Sequence, residues 1–257
     1  TIDVEEYFHV SAFERHVSRA HWPRMERRVE EVLPLLLDWM AEVGAMGTFF
    51  VLGWTAERAP ELVRRIANDG HEVASHGWDH ARVTQLDPDA FRRQARDSRA
   101  LLEDLTGQPV RGFRAPSFSI VPGREWALQV LVEEGYSYDS SLYPVRRPGY
   151  GYPGGPRDIY RLDTPAGPLL EVPPATLRMA PNTAVLQGRV LGDQGRPLAG
   201  AAADGGVGRP EGLPAAAGVI EVQALEDAGD GADLAEVVGL VDHADGAGGV
   251  GGSLEGH

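Results

Sequence analysis

Between Thr1 and Asp139, short β-rich apolar runs alternate with stretches of helical spacing, and this rhythm narrows the possible folds more than any other feature. Gly47-Thr48-Phe49-Phe50-Val51-Leu52 reads as a strand and follows an amphipathic stretch from Arg24 to Val43. Leu62 to Asn68 reads as a helix that stops at Asp69-Gly70, and Glu72 to His76 as the next strand. Asp87-Pro88 starts a helix, since an Asp N-cap accepts an orphan N–H and Pro suits the first turn; Gly107 ends it. Val110 to Arg114 is a strand, Glu125 to Glu134 a helix, and Tyr136 to Asp139 a strand. Strands separated by helices pair in parallel, in an open sheet or a barrel. In a barrel, reactive groups gather at the C-terminal ends of the strands.

The rhythm does not extend to the end of the chain. All 19 aromatic residues lie at or before Tyr160, while residues 182–257 are rich in Gly, Ala and Asp. A segment with few large side chains cannot offset its chain entropy by burial. Two parts are therefore expected: a folded domain over 1–181 and an irregular Gly/Ala/Asp-rich tail over 182–257, disordered or read in a shifted frame. The chain starts at Thr1 without an initiator Met and without a secretory pattern, and so reads as a fragment. No apolar run approaches the roughly 18 residues of a membrane span, so no span is expected and a cytoplasmic location is the default. There is no Cys, so any metal must be held by His and carboxylates. A formal net charge of −14 argues against nucleic acid as a partner, because phosphate binding needs basic surface.

Four clusters carry possible chemistry. Asp3 and Glu5 are two apart, so on a strand both point to one face. Two such acids repel unless a cation or a shared proton relieves them, although exposed strand ends often carry solvated acids. His76 and His80 are four apart; if a helical turn follows the strand, both imidazoles can grip one ion. The competing reading is a surface turn. His71-Glu72 does not make a zinc-protease motif, since the next His comes five residues after His71 rather than four. Arg114 sits at a strand end before Ala115-Pro116-Ser117, where it could be a plain ion-pair partner or could hold a carboxylate ionised. Tyr138-Asp139-Ser140-Ser141 puts an acid and hydroxyls at another strand end, which is also the composition of an ordinary polar turn.

Taken together and in this order, the clusters resemble the polysaccharide deacetylase family with the NodB homology domain. Asp3 to Val10, Arg114-Ala115-Pro116-Ser117-Phe118-Ser119, Tyr138 to Pro144 and Leu170-Glu171-Val172-Pro173-Pro174 look most like its exosortase-associated exopolysaccharide branch. The resemblance runs from Thr1 to about Pro181. It implies an α/β fold, a distorted TIM-like (β/α)7 barrel of NodB type, here incomplete. It implies hydrolysis of N-acetyl groups on a polysaccharide, with a divalent metal, zinc by expectation. Carried onto these residues, Asp3 is the general base and Arg114 its orienting cation. His76, His80 and an acid of the first cluster hold the metal; Glu5 is the better candidate and Glu6 the runner-up. Pro116, Ser117 and Asp139 belong to the substrate site. The family's later strand, with a His that protonates the leaving amine, has no match after Pro181, so an impaired enzyme is expected. The rival readings are a small or cyclic amide hydrolase of the same superfamily and an inactive truncated product. The glycan and the oligomeric state have no signature in the sequence.

Overall fold

The structure, a computed structural model, describes residues 1–178 and 183–185. Apart from the short strand at 183–185, the expected tail over 182–257 lies outside the described residues, as does the expected boundary near Pro181. Element order follows the sequence rhythm: β1 (Ile2–Val4), α1 (Val29–Glu42), β2 (Thr48–Val51), α2 (Gly53–Arg58), α3 (Pro60–Asn68), β3 (Glu72–Ser75), α4 (Pro88–Thr106), β4 (Gly112–Phe113), α5 (Trp126–Glu133) and β5 (Tyr138–Asp139). A hairpin of β6 (Tyr160–Thr164) and β7 (Gly167–Glu171) follows, and then β8 (Thr176–Arg178) pairs antiparallel with β9 (Thr183–Val185).

Seven strands form one sheet in the order β1-β2-β3-β4-β5-β7-β6. Every neighbouring pair is parallel except β6 with β7. The expected parallel α/β sheet is therefore present. Barrel closure is not: among the described residues β1 and β6 are the two ends of an open sheet.

The central strand β2 shows why the sheet is stable. Phe49, Phe50 and Val51 are all at most 1% exposed, although successive side chains point to opposite faces. Both faces of a parallel sheet are covered, so its inner strands read as unbroken apolar runs. Burying one Phe or Val in this way contributes about 1.5–3 kcal/mol. The helices that cover the sheet supply Leu37, Val63, Ile66, Ala95, Leu102 and Leu131 to the same core.

Helix α4 starts and stops where its punctuation says it should. The Asp87 carboxylate accepts the Ala90 N–H at 2.7 Å, and Gly107 takes the left-handed conformation at φ 66°. Helix α1 does not follow the sequence expectation: it begins at Val29, five residues after Arg24, and residues 19–24 form a 3-10 helix. The cause is a distant cap. The Glu6 carboxylate accepts the Arg28 N–H at 2.8 Å and the Val29 N–H at 3.4 Å, which sets the first turn there. No described helix is long and apolar enough to cross a membrane.

Candidate metal centre and active site

The sheet carries its polar side chains to one edge. Asp3 and Glu5 stand at the end of β1, His76 just after β3, Arg114 just after β4, and Asp139 at the end of β5. All are C-terminal strand ends, the place where α/β sheets build sites. Backbone bonds set these positions: His76 N–H donates to Val51 O at 3.0 Å, and Arg114 N–H donates to Ser75 O at 2.9 Å.

Glu5, His76 and His80 each present one ligand atom, and the three atoms lie within 4.8 Å of one another. His80 Nε2 is 3.0 Å from Glu5 Oε2, and His76 Nε2 is 4.0 Å from it. That carboxylate oxygen is buried and makes no hydrogen bond of good geometry. His76 Nδ1 lies 2.8 Å from the Arg114 carbonyl, which can only accept, so Nδ1 carries the proton. The Nε2 lone pair is then turned toward Glu5, an arrangement that recurs wherever a backbone carbonyl orients a metal-ligating imidazole. Burial lowers the His76 pKa and keeps the ring neutral, the form that binds metal. The donor set, two imidazoles and a carboxylate with no thiolate, suits zinc or a similar divalent ion.

The two histidines meet without the helical turn that their spacing suggested. Residues after His76 form a loop in which Gly77 has φ 77° and His80 itself has φ 54°. The loop is held by Gly53 N–H donating to Gly77 O at 2.9 Å and Trp54 N–H donating to Trp78 O at 2.8 Å. Gln94 accepts the Trp78 N–H and donates to Asp79. Positive φ at a non-glycine residue costs of order 1–3 kcal/mol. Three such residues are described: His80 in this loop, and Ser117 and Phe118 in the 3-10 turn Pro116–Phe118 that follows Arg114.

Glu6, the alternative acidic ligand, is turned away. It is 1% exposed and its carboxylate is occupied by the first turn of α1. Strand direction explains the difference: Glu5 continues the face of Asp3, and its neighbour faces the opposite way.

Arg114 donates from Nη1 to Asp3 Oδ1 at 2.8 Å and from Nη2 to Ser140 Oγ at 2.9 Å. Its guanidinium also sits 4.0 Å over the Phe50 ring, which stiffens the fork. Burial pushes the Asp3 carboxyl up, but the Arg114 charge, His76 and the Arg114 hydrogen bond outweigh it, so the net shift is downward. With Oδ1 held by Arg114, Oδ2 is the atom nearer the ligands, 4.0 Å from His76 Nε2.

Asp139, expected at the substrate site, is fully buried at the end of β5. It is 0% exposed, and its carboxylate accepts the Ser141 hydroxyl at 2.6 Å and the Ser141 N–H at 3.1 Å. The β5–β7 register sets Glu171 directly beside it. In these positions the acid braces the sheet. Pro116 and Ser117 are buried as well, with Ser117 Oγ 2.6 Å from Ser11 Oγ.

The Asp139–Glu171 pair predicts a pH dependence. Burial pushes Asp139 up to about 6, and burial together with the Asp139 charge raises Glu171 well above its ordinary value. Two adjacent buried carboxyls hold a proton that the unfolded chain releases more easily. Because the folded pKa is raised, the native state binds more protons than the unfolded state, and stability falls as pH rises. The contribution is complete below about pH 4 and is lost as pH climbs through about 6. Asp139→Asn is expected to flatten this slope in urea unfolding measured across that range. Identical slopes for variant and wild type would mean that the pair holds no such proton.

Sequence reasoning passed over two buried groups. Glu171 lay in a quoted motif without a role. His9 is 4% exposed, beside the metal cluster, and its only signal was its place in the run Glu5-Glu6-Tyr7-Phe8-His9.

Residues 23–136 match the family model described as polysaccharide deacetylase. That stretch contains His76, His80 and Arg114 but not Asp3, Glu5 or Asp139. The chain is 28% identical over 151 residues to the peptidoglycan-N-acetylglucosamine deacetylase of Bacillus cereus, covering 54% of each chain. It is 41% identical over 63 residues to the chitooligosaccharide deacetylase of Rhizobium leguminosarum, covering 24% of this chain and 29% of that one. A crystal structure from Mycobacterium smegmatis, provisionally assigned as a polysaccharide deacetylase, is similar with a TM-score of 0.53 and 30% identity. That match covers 67% of this chain and 56% of the other. The chain thus spans about half, or less, of the length of these relatives.

Proposed function

We infer that this chain carries a polysaccharide deacetylase domain, the family whose model its residues 23–136 match, and that it hydrolyses N-acetyl groups of a polysaccharide with the help of a divalent metal. The observation that carries this reading is the convergence of Glu5, His76 and His80 beside the Arg114–Asp3 pair. Those three residues would hold the ion, with zinc as the expected metal. Once bound, such an ion supplies Lewis acidity toward the acetamide carbonyl and toward water.

The protein's own groups do the rest. Asp3 Oδ2 takes a proton from the attacking water as the C–O bond forms. Arg114 keeps Asp3 ionised and fixes its angle through Oδ1. The C–N bond then breaks, acetate leaves, and the free amine of the sugar needs a proton. The motifs diverge from the family after Pro181, beyond the fully described part of the chain, and no donor for that proton is matched there. A slow enzyme is therefore our reading. The first motif and the Arg114-Ala115-Pro116-Ser117 run favour the exosortase-associated branch, and with it an exopolysaccharide substrate. A cytoplasmic location is the corresponding default.

The alternative is a small or cyclic amide substrate, which the same metal chemistry would serve. The test is acetate release from an N-acetylated oligosaccharide, compared with ring opening of a cyclic ureide, in zinc-loaded and chelator-treated protein. Zinc-dependent acetate release is expected. Ring opening without acetate release would replace this reading with its alternative.

A further inference from the structure

Helix α4 reaches the loop between the two metal-binding histidines at two points. Gln94 and Ser98 are four residues apart, so they stand on one face of the helix, one turn from each other. Ser98 Oγ lies 2.7 Å from Ser75 Oγ, which in turn accepts the Gly77 N–H at 3.1 Å. Gln94 Oε1 accepts the Trp78 N–H at 3.2 Å, and Gln94 Nε2 donates to Asp79 Oδ1 at 2.6 Å. These partners dictate which way the amide points, since a backbone N–H only donates and a carboxylate only accepts. Gln94 thus holds the two residues that immediately precede His80.

That hold matters because His80 is strained. Its φ of 54° is left-handed, and such a residue persists only where its surroundings over-determine it. Its Nε2 must nevertheless come to 3.0 Å from Glu5 Oε2 for the three ligand atoms to converge. On the α2 side the loop has no slack: a Cβ at Gly53 would lie 2.5 Å from the Trp78 ring. The other oxygen of the Asp79 carboxylate accepts from Arg19, but the Arg19 and Asp79 side chains are 47% and 26% exposed, and such surface pairs fix little. Gln94, half-buried between α4 and the loop, is the side chain that binds Trp78 and Asp79 together.

We propose that Gln94 is a positioning residue of the metal centre, holding His80 in its ligating place through Trp78 and Asp79, so that zinc affinity depends on a side chain that is not itself a ligand. The role rests on the reading of Glu5, His76 and His80 as the ligands. Groups that orient metal ligands typically change affinity about 10–100-fold when removed. Gln94 acts through the neighbours of His80 rather than on its ring, which places it near the tenfold end.

The experiment measures zinc affinity of the full chain by competition with a chromogenic chelator, with urea unfolding of the metal-free protein alongside. Gln94→Glu keeps an acceptor for the Trp78 N–H but sets a second carboxylate against Asp79. Its added negative charge by itself would favour a cation, so weaker zinc binding there reports displaced geometry. About tenfold weaker binding is expected. Adding Asp79→Asn restores one amide facing one carboxylate with their order reversed, and returns the net charge to that of wild type. The double variant should recover most of the lost affinity, an interaction that independent sites would not show. Gln94→Met, similar in volume, removes both bonds without adding charge and should weaken zinc to a similar extent, which covers the case of a Gln94→Glu chain that fails to fold. Wild-type zinc affinity in Gln94→Met would overturn the positioning role, whatever its metal-free stability. So would a folded double variant that binds zinc as weakly as Gln94→Glu. Absence of zinc binding in the wild type would instead overturn the ligand assignment, and the role of Gln94 with it.

Discussion

Replacing His76 and His80 together with alanine is expected to reduce bound zinc from about one ion per chain to near none and to abolish acetate release. The reason is the small donor set. Glu5, His76 and His80 are the one group of metal-ligating side chains that converges among the described residues, and Cys is absent from the chain. A single carboxylate left after the double substitution cannot hold a divalent ion against water, since protein sites of this kind use three or four ligands. Elemental analysis of both proteins after identical zinc loading and desalting reads the result directly. Equal metal in the two would remove the assignment of this centre, whatever happens to activity. His76 also bonds the Arg114 carbonyl, so the double variant can lose some stability as well. A matched unfolding curve separates that loss from loss of metal.

Asp3→Asn should lower turnover by roughly 10²–10⁴-fold while leaving zinc bound, the scale expected for removal of a general base. Asp3 lies 4.0 Å from His76 Nε2, whereas Glu5 comes within 3.0 Å of His80 Nε2 and belongs to the ligand cluster. Glu5→Ala is therefore expected to weaken zinc instead, and Glu6→Ala to destabilise α1 without releasing metal. The measurements are zinc affinity, kcat at saturating zinc, and thermal unfolding of each variant. Zinc loss in Asp3→Asn with retention in Glu5→Ala would mean that the two acids exchange roles. Arg114 complicates the first variant in an instructive way: it would lose its charged partner while remaining 5% exposed. An uncompensated buried cation is costly, so Asp3→Asn should also unfold at lower urea than wild type.

How much of this was legible in the chain follows from the range over which each signal acts. Helix α4 could be bounded from Asp87-Pro88 and Gly107 alone, because its cap, first turn and stop are local chemistry. The parallel sheet followed from the alternation of strands with helices, because strands joined by helical crossovers pair in parallel. The Asp3–Glu5 pair and the His76–His80 pair were visible as spacing, although the turn imagined between the histidines does not exist. There a left-handed His80 does the work that a helix was expected to do. The start of α1 was misjudged because its cap comes from Glu6, 22 residues upstream of Arg28, and periodicity carries no trace of that bond.

The sequence by itself determined the alternation of strands and helices, the ends of the best-punctuated helix, and the identity of the residues able to bind a divalent ion. Those are properties of near neighbours: backbone preference, the side-chain period of 2 or 3.6, and donor chemistry. Only the tertiary structure decided which of those groups meet. It set Arg114 against Asp3, 111 positions away, placed Asp139 beside Glu171 in a closed buried pair, and turned Glu6 from a candidate ligand into a helix cap. It also gave His9 a fixed tautomer and a buried ring nitrogen without a hydrogen-bond partner. The physical reason is that strand register and loop conformation are set by hydrogen bonds between distant segments. A shift of one residue reverses the face on which every side chain of a strand lies, and in strands buried on both faces the unbroken apolar run does not mark which face is which.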